Sequence, residues 1–226
     1  AGVSARAIGE QIDERAGAAF AELGDAIDAA AGGARNRRGS SVLRDARGAL
    51  TRNEVVSNAA VFLFGGIETA EGMTASLLHH VLSTPGALQA IDANRELIDA
   101  AVEESLRLEP AAARVDRFAT ADVDIAGVRI EKGGLVIVSL AAANRDPAAF
   151  PDPDALLLDR PNVRSHLTFA QGPHACIGAQ LARLEARAAL QAVLDLLPGI
   201  ELIEPPTTTG VVFRKPLAVR ARWRTP

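Results

Sequence analysis

A chain of 226 residues with a single cysteine cannot close an internal disulfide, so it needs no oxidising compartment, and its thiol chemistry is confined to Cys176. It also lacks a basic excess. Lys+Arg 24 against Asp+Glu 28 gives a formal charge of −4, which argues against nucleic acid or an anionic membrane surface as partner. No apolar run approaches the roughly 18 uninterrupted residues of a membrane span, and residues 1–15 alternate charge with alanine where a signal peptide would carry an apolar core. These absences point to a cytoplasmic protein without a membrane segment. The first residue is Ala and not Met, so a processed or truncated chain is expected. The length suffices for one large or two small domains with a buried core.

What is present is mostly helical periodicity. Ile8, Ile12, Ala16, Phe20, Leu23 and Ile27 predict one or two amphipathic helices over about 3–31, followed by a Gly-rich basic linker over 32–41. Thr51-Arg52-Asn53-Glu54 has the form of a capping box, and Val56, Ala60, Leu63, Ile67, Ala70, Thr74, Leu77 and Val81 then hold one face until Pro85-Gly86. The spacing predicts a helix over about 52–83, roughly 45 Å long at about 1.5 Å per residue. Gly65 and Gly66 lie in its middle, where two glycines cost about 2 kcal/mol of helix propensity relative to alanine. Either something needs the space or another helix packs closely there.

Shorter helices are expected over 87–93 and 95–108, the second stopped by Pro110. Strands are expected over 123–130 and 134–138 with a glycine-containing turn between them, then a proline-rich loop over 144–154. A helix from Ile177 to about Leu197 follows, with a small hairpin in the tail built from 200–203, 211–213 and 217–219. The fold class is mainly α with minor β, in one domain with weak N-terminal helices over 1–50 and a core over 51–226.

Cys176 sits in Phe169-Ala170-Gln171-Gly172-Pro173-His174-Ala175-Cys176-Ile177-Gly178, a Gly/Pro loop that leads into a helix. A lone cysteine is commonly a small buried hydrophobe. At a loop–helix junction, however, free N–H groups and the helix dipole favour the thiolate. Gly172 and Gly178 have no side chain, which lets a flat partner approach the sulfur. One cysteine without a His/Cys cluster does not make a tetrahedral zinc site. A single thiolate suits a metal whose other ligands come from a macrocycle, which means haem.

The segment Phe169-x-x-Gly172-x-His174-x-Cys176-x-Gly178 resembles the haem-ligand signature of the cytochromes P450, with His174 at a position often held by Arg. Glu104-Ser105-Leu106-Arg107 resembles the Glu-x-x-Arg pair of that family, and Gly65-Gly66-Ile67-Glu68-Thr69 resembles its oxygen-binding helix motif, with Glu68 where Asp is more usual. All three fall in the family's order. The resemblance implies the C-terminal portion of a cytochrome P450-like fold. It implies haem b (iron protoporphyrin IX) bound through Cys176 as metal ligand, flanked by Gly65, Gly66, Phe169, Gly172 and Gly178, with Arg117 and His174 on its propionates. Arg114 is a nearer rival to Arg117. Glu68 and Thr69 are the implied catalytic pair, a carboxylate and a hydroxyl that relay protons for dioxygen cleavage. Glu104 and Arg107, three apart on a helix, share a face. The resemblance adds Arg160 to them as a structural network that shapes the loop carrying Cys176. Residues 111–115, 59–66 and 208–211 are implied to line the substrate side.

The implied activity is that of a haem-thiolate monooxygenase, which inserts one oxygen atom from O2 into a small organic substrate, with electrons from a ferredoxin or ferredoxin-reductase type donor. Other readings are a haem-thiolate peroxygenase or isomerase, or a non-catalytic haem-binding or interaction fragment. Family members are longer and carry a Trp-x-x-x-Arg helix on a propionate, whereas Trp223 lacks that spacing. A missing N-terminal half of the same protein is therefore expected as partner, leaving a broad apolar face exposed without it.

Overall fold

Helices dominate the computed structural model, which describes residues 14–32 and 48–224. Helix α1 spans Glu14–Gly32, α2 Arg52–Ser83, α3 Ala87–Ala93 and α4 Leu97–Leu108. Strands β1 Arg114–Phe118, β2 Val123–Ile125, β3 Val128–Ile130 and β4 Leu135–Ser139 follow, then the short α5 Leu140–Ala143 and the long α6 Ala179–Leu196. The tail carries β5 Glu201–Leu202, β6 Thr208–Thr209, β7 Lys215–Pro216 and β8 Ala221–Arg222. Residues 3–13 of the expected N-terminal helices and 33–41 of the expected linker lie outside the described residues.

The start of α2 is set by its cap. Thr51 N–H donates to Glu54 Oε2 at 2.8 Å and Glu54 N–H donates to Thr51 Oγ1 at 3.4 Å, which satisfies two otherwise free donors of the first turn reciprocally. The same bonds, the backbone one foremost, hold the Glu54 carboxyl below the ordinary glutamate value. Helix α4 begins two residues later than expected, because Leu97 N–H turns back to Asn94 O at 3.1 Å.

The described residues fall into two compact units that meet in sequence between Gly66 and Ile67. In the first, Val55 and Val56 close a small core with Ile27, Leu23 and Ala59. In the second, Met73, Leu77 and Val81 of α2 pack with Ile91, with Ala101, Val102 and Leu106 of α4, and with Ala186 and Leu190 of α6. The first unit also exposes four consecutive apolar side chains, Val61 to Phe64, by 43–68%.

The sheets are two-stranded. β1 runs antiparallel to β4, from Arg114↔Ser139 to Phe118↔Leu135. β2 and β3 form a hairpin whose two turn residues, Ala126 and Gly127, both have positive φ (50° and 80°), the geometry that matches the strand twist. Four expectations need correcting. The strand expected over 123–130 is two strands, β2 and β3, paired with each other, and 134–138 is not their hairpin partner but pairs with β1. β1 is not among the expected strands: its sequence RVDRF hides any apolar alternation, and the ladder to β4 is what makes it a strand. Helix α6 starts at Ala179 and not at Ile177, which is 87% exposed. The tail is two separate pairs, β5 with β8 and β6 with β7, and not one hairpin through 217–219; Phe213 bridges Ala112 instead.

Leu190 is fully buried where α2, α4 and α6 meet. Leu190→Ala is expected to lower stability by about 2–5 kcal/mol, read as a fall in the urea midpoint at an unchanged denaturant slope.

Candidate functional site

Cys176 is exposed, at the end of a loop that is pinned at its base. Phe169 packs half-buried against the main core, and its carbonyl accepts the Cys176 N–H at 2.8 Å. Between them Gly172–His174 form a 3₁₀ turn closed by Ala175 N–H on Gly172 O at 3.0 Å. A Cβ at Gly172 would meet nothing within 4 Å, and one at Gly178 would meet only Cys176 Sγ at 3.8 Å. The surroundings of the sulfur are thus open, and the reading of Cys176 as a buried hydrophobe does not hold. Ala170 has φ +54°, a left-handed conformation that costs a residue with a Cβ about 1–2 kcal/mol. Helix α6 begins three residues beyond the thiol, with Ala179 N–H donating to Cys176 O at 3.3 Å.

Glu104, Arg107 and Arg160 come together as expected and are buried. Arg107 Nε and Nη2 donate to the two Glu104 oxygens at 2.7 and 3.0 Å, and Arg160 Nε donates to Glu104 Oε1 at 2.8 Å. The remaining Arg107 donors go to carbonyls of Asn144 (3.1 Å), Pro153 (2.6 Å) and Ala155 (2.9 Å), so all five N–H groups of the guanidinium are used. Leu157 N–H adds a bond to Glu104 Oε2 at 2.9 Å. Burial pushes the Glu104 carboxyl up, but the bonds from Arg107, Leu157 and Arg160 outweigh it and hold the group below the ordinary glutamate value. What this network shapes directly is the 151–157 loop. It reaches the cysteine loop only through Asn144, whose Oδ1 accepts Leu167 N–H at 2.7 Å and whose Nδ2 donates to Thr168 Oγ1 at 2.9 Å.

A second buried network, absent from the sequence-based expectations, is linked to Cys176 through Phe169. Glu103 accepts Arg183 Nε and Nη2 at 2.6 and 3.1 Å, and His166 Nε2 lies 3.0 Å from its Oε2. The Arg183 guanidinium in turn lies 4.6 Å over the Phe169 ring. A carboxylate on α4 thereby fixes the aromatic residue whose carbonyl holds Cys176. The sequence signal available was the doubled acid Glu103-Glu104 within a short helix.

The other expected site residues are placed as follows. Glu68 is exposed, with its Oε1 3.0 Å from Lys215 Nζ, and Thr69 is half-buried. A Cβ at Gly65 or Gly66 would meet nothing within 4 Å, so close packing among the described residues does not account for these glycines. Arg117 is exposed and donates to Asp116 O at 2.8 Å. Strand alternation puts Arg114 on the opposite face of β1, where it lines a cleft with Glu109, Arg145 and Arg214 and its buried Nε has no hydrogen-bond partner. The two arginines are therefore not interchangeable. His174 is exposed within the 3₁₀ turn.

Among the described residues no group of three or more His, Cys, Asp or Glu side chains is placed to hold a metal. One exposed thiol between two unobstructed glycines fits a metal that arrives with its own planar ligands, so the residues present fit a haem.

Two outcomes follow from the loop and its anchor. Ala170→Gly is expected to raise stability by about 0.5–1 kcal/mol in chemical denaturation, the left-handed penalty relieved less the added chain entropy. Burial pushes Glu103 up, but bonds from His166 and Arg183 and their charges bring it down from 4.5 to about 2. Its contribution is present above the ordinary glutamate value and is lost as pH falls from 4.5 towards about 2. Glu103→Gln should therefore differ from the parent in thermal midpoint at neutral pH and converge on it in that window.

The cytochrome P450 family profile matches residues 25–197. The chain is 40% identical over 181 residues to the cytochrome P450 monooxygenase PikC of Streptomyces venezuelae, covering 77% of this chain and 43% of that protein. It is 41% identical over 161 residues to a vitamin D3 dihydroxylase of Streptomyces griseolus, covering 71% and 39%. Among solved structures, tirandamycin C-bound P450 monooxygenase TamI superposes with a TM-score of 0.83 at 33% identity, over 92% of this chain and 54% of that one. The chain thus spans about half the length, or less, of the relatives it matches, and over that span it belongs to the cytochrome P450 family.

Proposed function

We propose that this chain is the haem-binding C-terminal portion of a haem-thiolate monooxygenase that hydroxylates a small organic substrate. The observation that carries the reading is the exposed Cys176 thiol, held by its N–H to Phe169 O at 2.8 Å between two glycines that leave room beside the sulfur. When bound, haem b supplies the activation of O2 from which one oxygen atom reaches the substrate. Cys176 holds the group from one side as a thiolate. Gly172, Gly178 and Phe169 shape the bed on which it rests, and Arg117 and His174 offer cationic or donor groups to its carboxylates. Gly65 and Gly66 leave two successive positions of α2 without side chains. Glu68 takes up a proton from water and the Thr69 hydroxyl passes it inward, the division of labour that a carboxylate next to a hydroxyl allows.

The names of relatives support the substrate class, since one is a vitamin D3 dihydroxylase and another was solved with tirandamycin C. Electrons come from a ferredoxin or ferredoxin-reductase type donor. No described helix is long and apolar enough to cross a membrane, in keeping with a cytoplasmic enzyme. The exposed Val61 to Phe64 segment is covered by an N-terminal half of the same protein. Intact-mass measurement on the protein from its source is expected to exceed 23.6 kDa, and a mass equal to it would overturn that part of the reading.

The decisive test is spectroscopic. The haem-loaded, full-length protein, reduced under carbon monoxide, is expected to show the strongly red-shifted Soret band of thiolate ligation, and Cys176→Ser to lose it. Thr69→Ala should keep the band while raising the electrons consumed per product formed. A wild-type protein without the band would remove the haem-thiolate reading altogether.

A further inference from the structure

Lys215 is one of only two lysines in a chain with 22 arginines, and it stands alone between two carboxylates of the long helix. Its Nζ lies 2.8 Å from Glu71 Oε2 and 3.0 Å from Glu68 Oε1. Glu68 and Glu71 are three apart on α2 and so share a face, where two like charges repel unless a cation stands between them. A lysine ammonium is a compact point charge with three donors and can be shared in this way.

The backbone that presents Lys215 is seated closely. A Cβ at Gly72, the next residue on α2, would lie 3.3 Å from Lys215 Cβ and 3.4 Å from both Ala111 Cβ and Arg214 O. A side chain there would be tighter than ordinary contact, and β7 would have to give by a few tenths of an ångström. The strand is tied from its other side as well, by Arg214 N–H on Ala111 O at 2.9 Å and by the pairing of Lys215 with Thr209. Of the remaining charged groups on the packed elements, Arg214 is turned to Glu109 at 2.7 and 3.3 Å and to Gly210 O at 3.2 Å, so it does not compete for Glu68. Neither the family signature nor the three motifs include Lys215 or Glu71.

We infer that Lys215 is a positioning residue for the proton relay: its ammonium, divided between Glu68 and Glu71, sets where the Glu68 carboxylate rests and how readily it is released to carry a proton. The inference rests on the reading of Glu68 as the relay acid. Removing Lys215 frees Glu68 to move. Removing the charge of Glu71 leaves the whole ammonium to Glu68 and holds it more firmly. A role limited to holding the hairpin would move both variants the same way. The contact also has a direct signature, because the hydrogen bond to Glu71 first, and then that to Glu68, raise the Lys215 ammonium above the ordinary lysine value.

Two measurements on the full-length protein test this. In lysine-selective carbon-13 labelled protein, assigned with Lys215→Arg, the Lys215 titration midpoint is expected above the ordinary lysine value and lower in Glu71→Gln and in Glu68→Gln. In the haem-loaded protein reduced with dithionite, the rate of reoxidation in air at fixed pH is expected to rise in Lys215→Met, where Glu68 is released, and to fall in Glu71→Gln, where it is held by the whole ammonium, about threefold each way, the scale of one exposed charge neighbour. Lys215→Arg, which restores the charge, recovers most of the change. Rates that coincide with the parent, or that move in the same direction in Lys215→Met and Glu71→Gln, overturn the assignment. The carbon monoxide spectrum of the same samples separates this from failure of the haem-thiolate reading: with the red-shifted band present, only the role of Lys215 is at stake.

Discussion

Two adjacent carboxylates on one buried turn of α4 govern how the rest of the chain is arranged. Glu103 is 3% exposed and Glu104 is not exposed at all. Successive residues of a helix point about 100° apart, so neighbours in sequence face different loops. Glu104 gathers Arg107, Arg160 and the Leu157 N–H, and the two guanidinium groups place their remaining donors on carbonyls between Asn144 and Ala155. Glu103 gathers Arg183 and His166. A lone buried carboxylate would be severely unfavourable, and these two are tolerable because both oxygens of each have donors opposite them, four in all at Glu104 and three at Glu103. The pairs therefore specify geometry more than they add stability: removal of one partner leaves an uncompensated charge, at a cost of about 3–5 kcal/mol, even where an apolar replacement of the whole cluster would be neutral.

The same arrangement explains how an exposed thiol can be held firmly. Surface loops carry functional groups but are the least ordered parts of a protein unless a rigid element fixes them. Here the fixation runs from Glu103 to Arg183, from Arg183 to the face of Phe169, and from the Phe169 carbonyl to the Cys176 N–H. The positive φ angles of Ala170 and Gly172 lie between the last two of these points. Such backbone angles persist only where the surroundings over-determine them, and both ends of this loop are bonded. The thiol is open to a ligand while its backbone is not free to follow it.

How far the sequence reveals this depends on the range of the interaction concerned. The bounds of α2 are legible because capping box, periodicity and the Pro85-Gly86 stop are all local, and they reproduce Arg52–Ser83. The Glu104–Arg107 pair is legible for the same reason, being three residues apart. Its extension to Arg160, 56 residues away, was legible only through the family resemblance. Nothing local announces the Glu103 partners, which lie 63 and 80 residues downstream. β1 is hidden because RVDRF contains alternating charges, and the tail is misread because two-residue strands are defined by their partners: Glu201 becomes a strand by meeting Arg222. Lys215 belongs to this class, since 144 residues separate it from Glu71.

The division of labour between the two kinds of cation follows from the same physics. Arg107 spends five N–H groups on five acceptors in one plane, and no lysine could satisfy that set; the fork is suited to fixing a loop once and permanently. Arg183 adds a flat face that can lie over Phe169 while its edge holds Glu103. Lys215 meets the contrary demand. Its partners are two exposed carboxylates, 47% and 64% accessible at the side chain, and a partly hydrated ammonium on a flexible stem can shift its weight from one to the other without breaking a planar pair. Arg107 thus immobilises its loop from a dry setting, whereas Lys215 meets its two carboxylates in a wetter one.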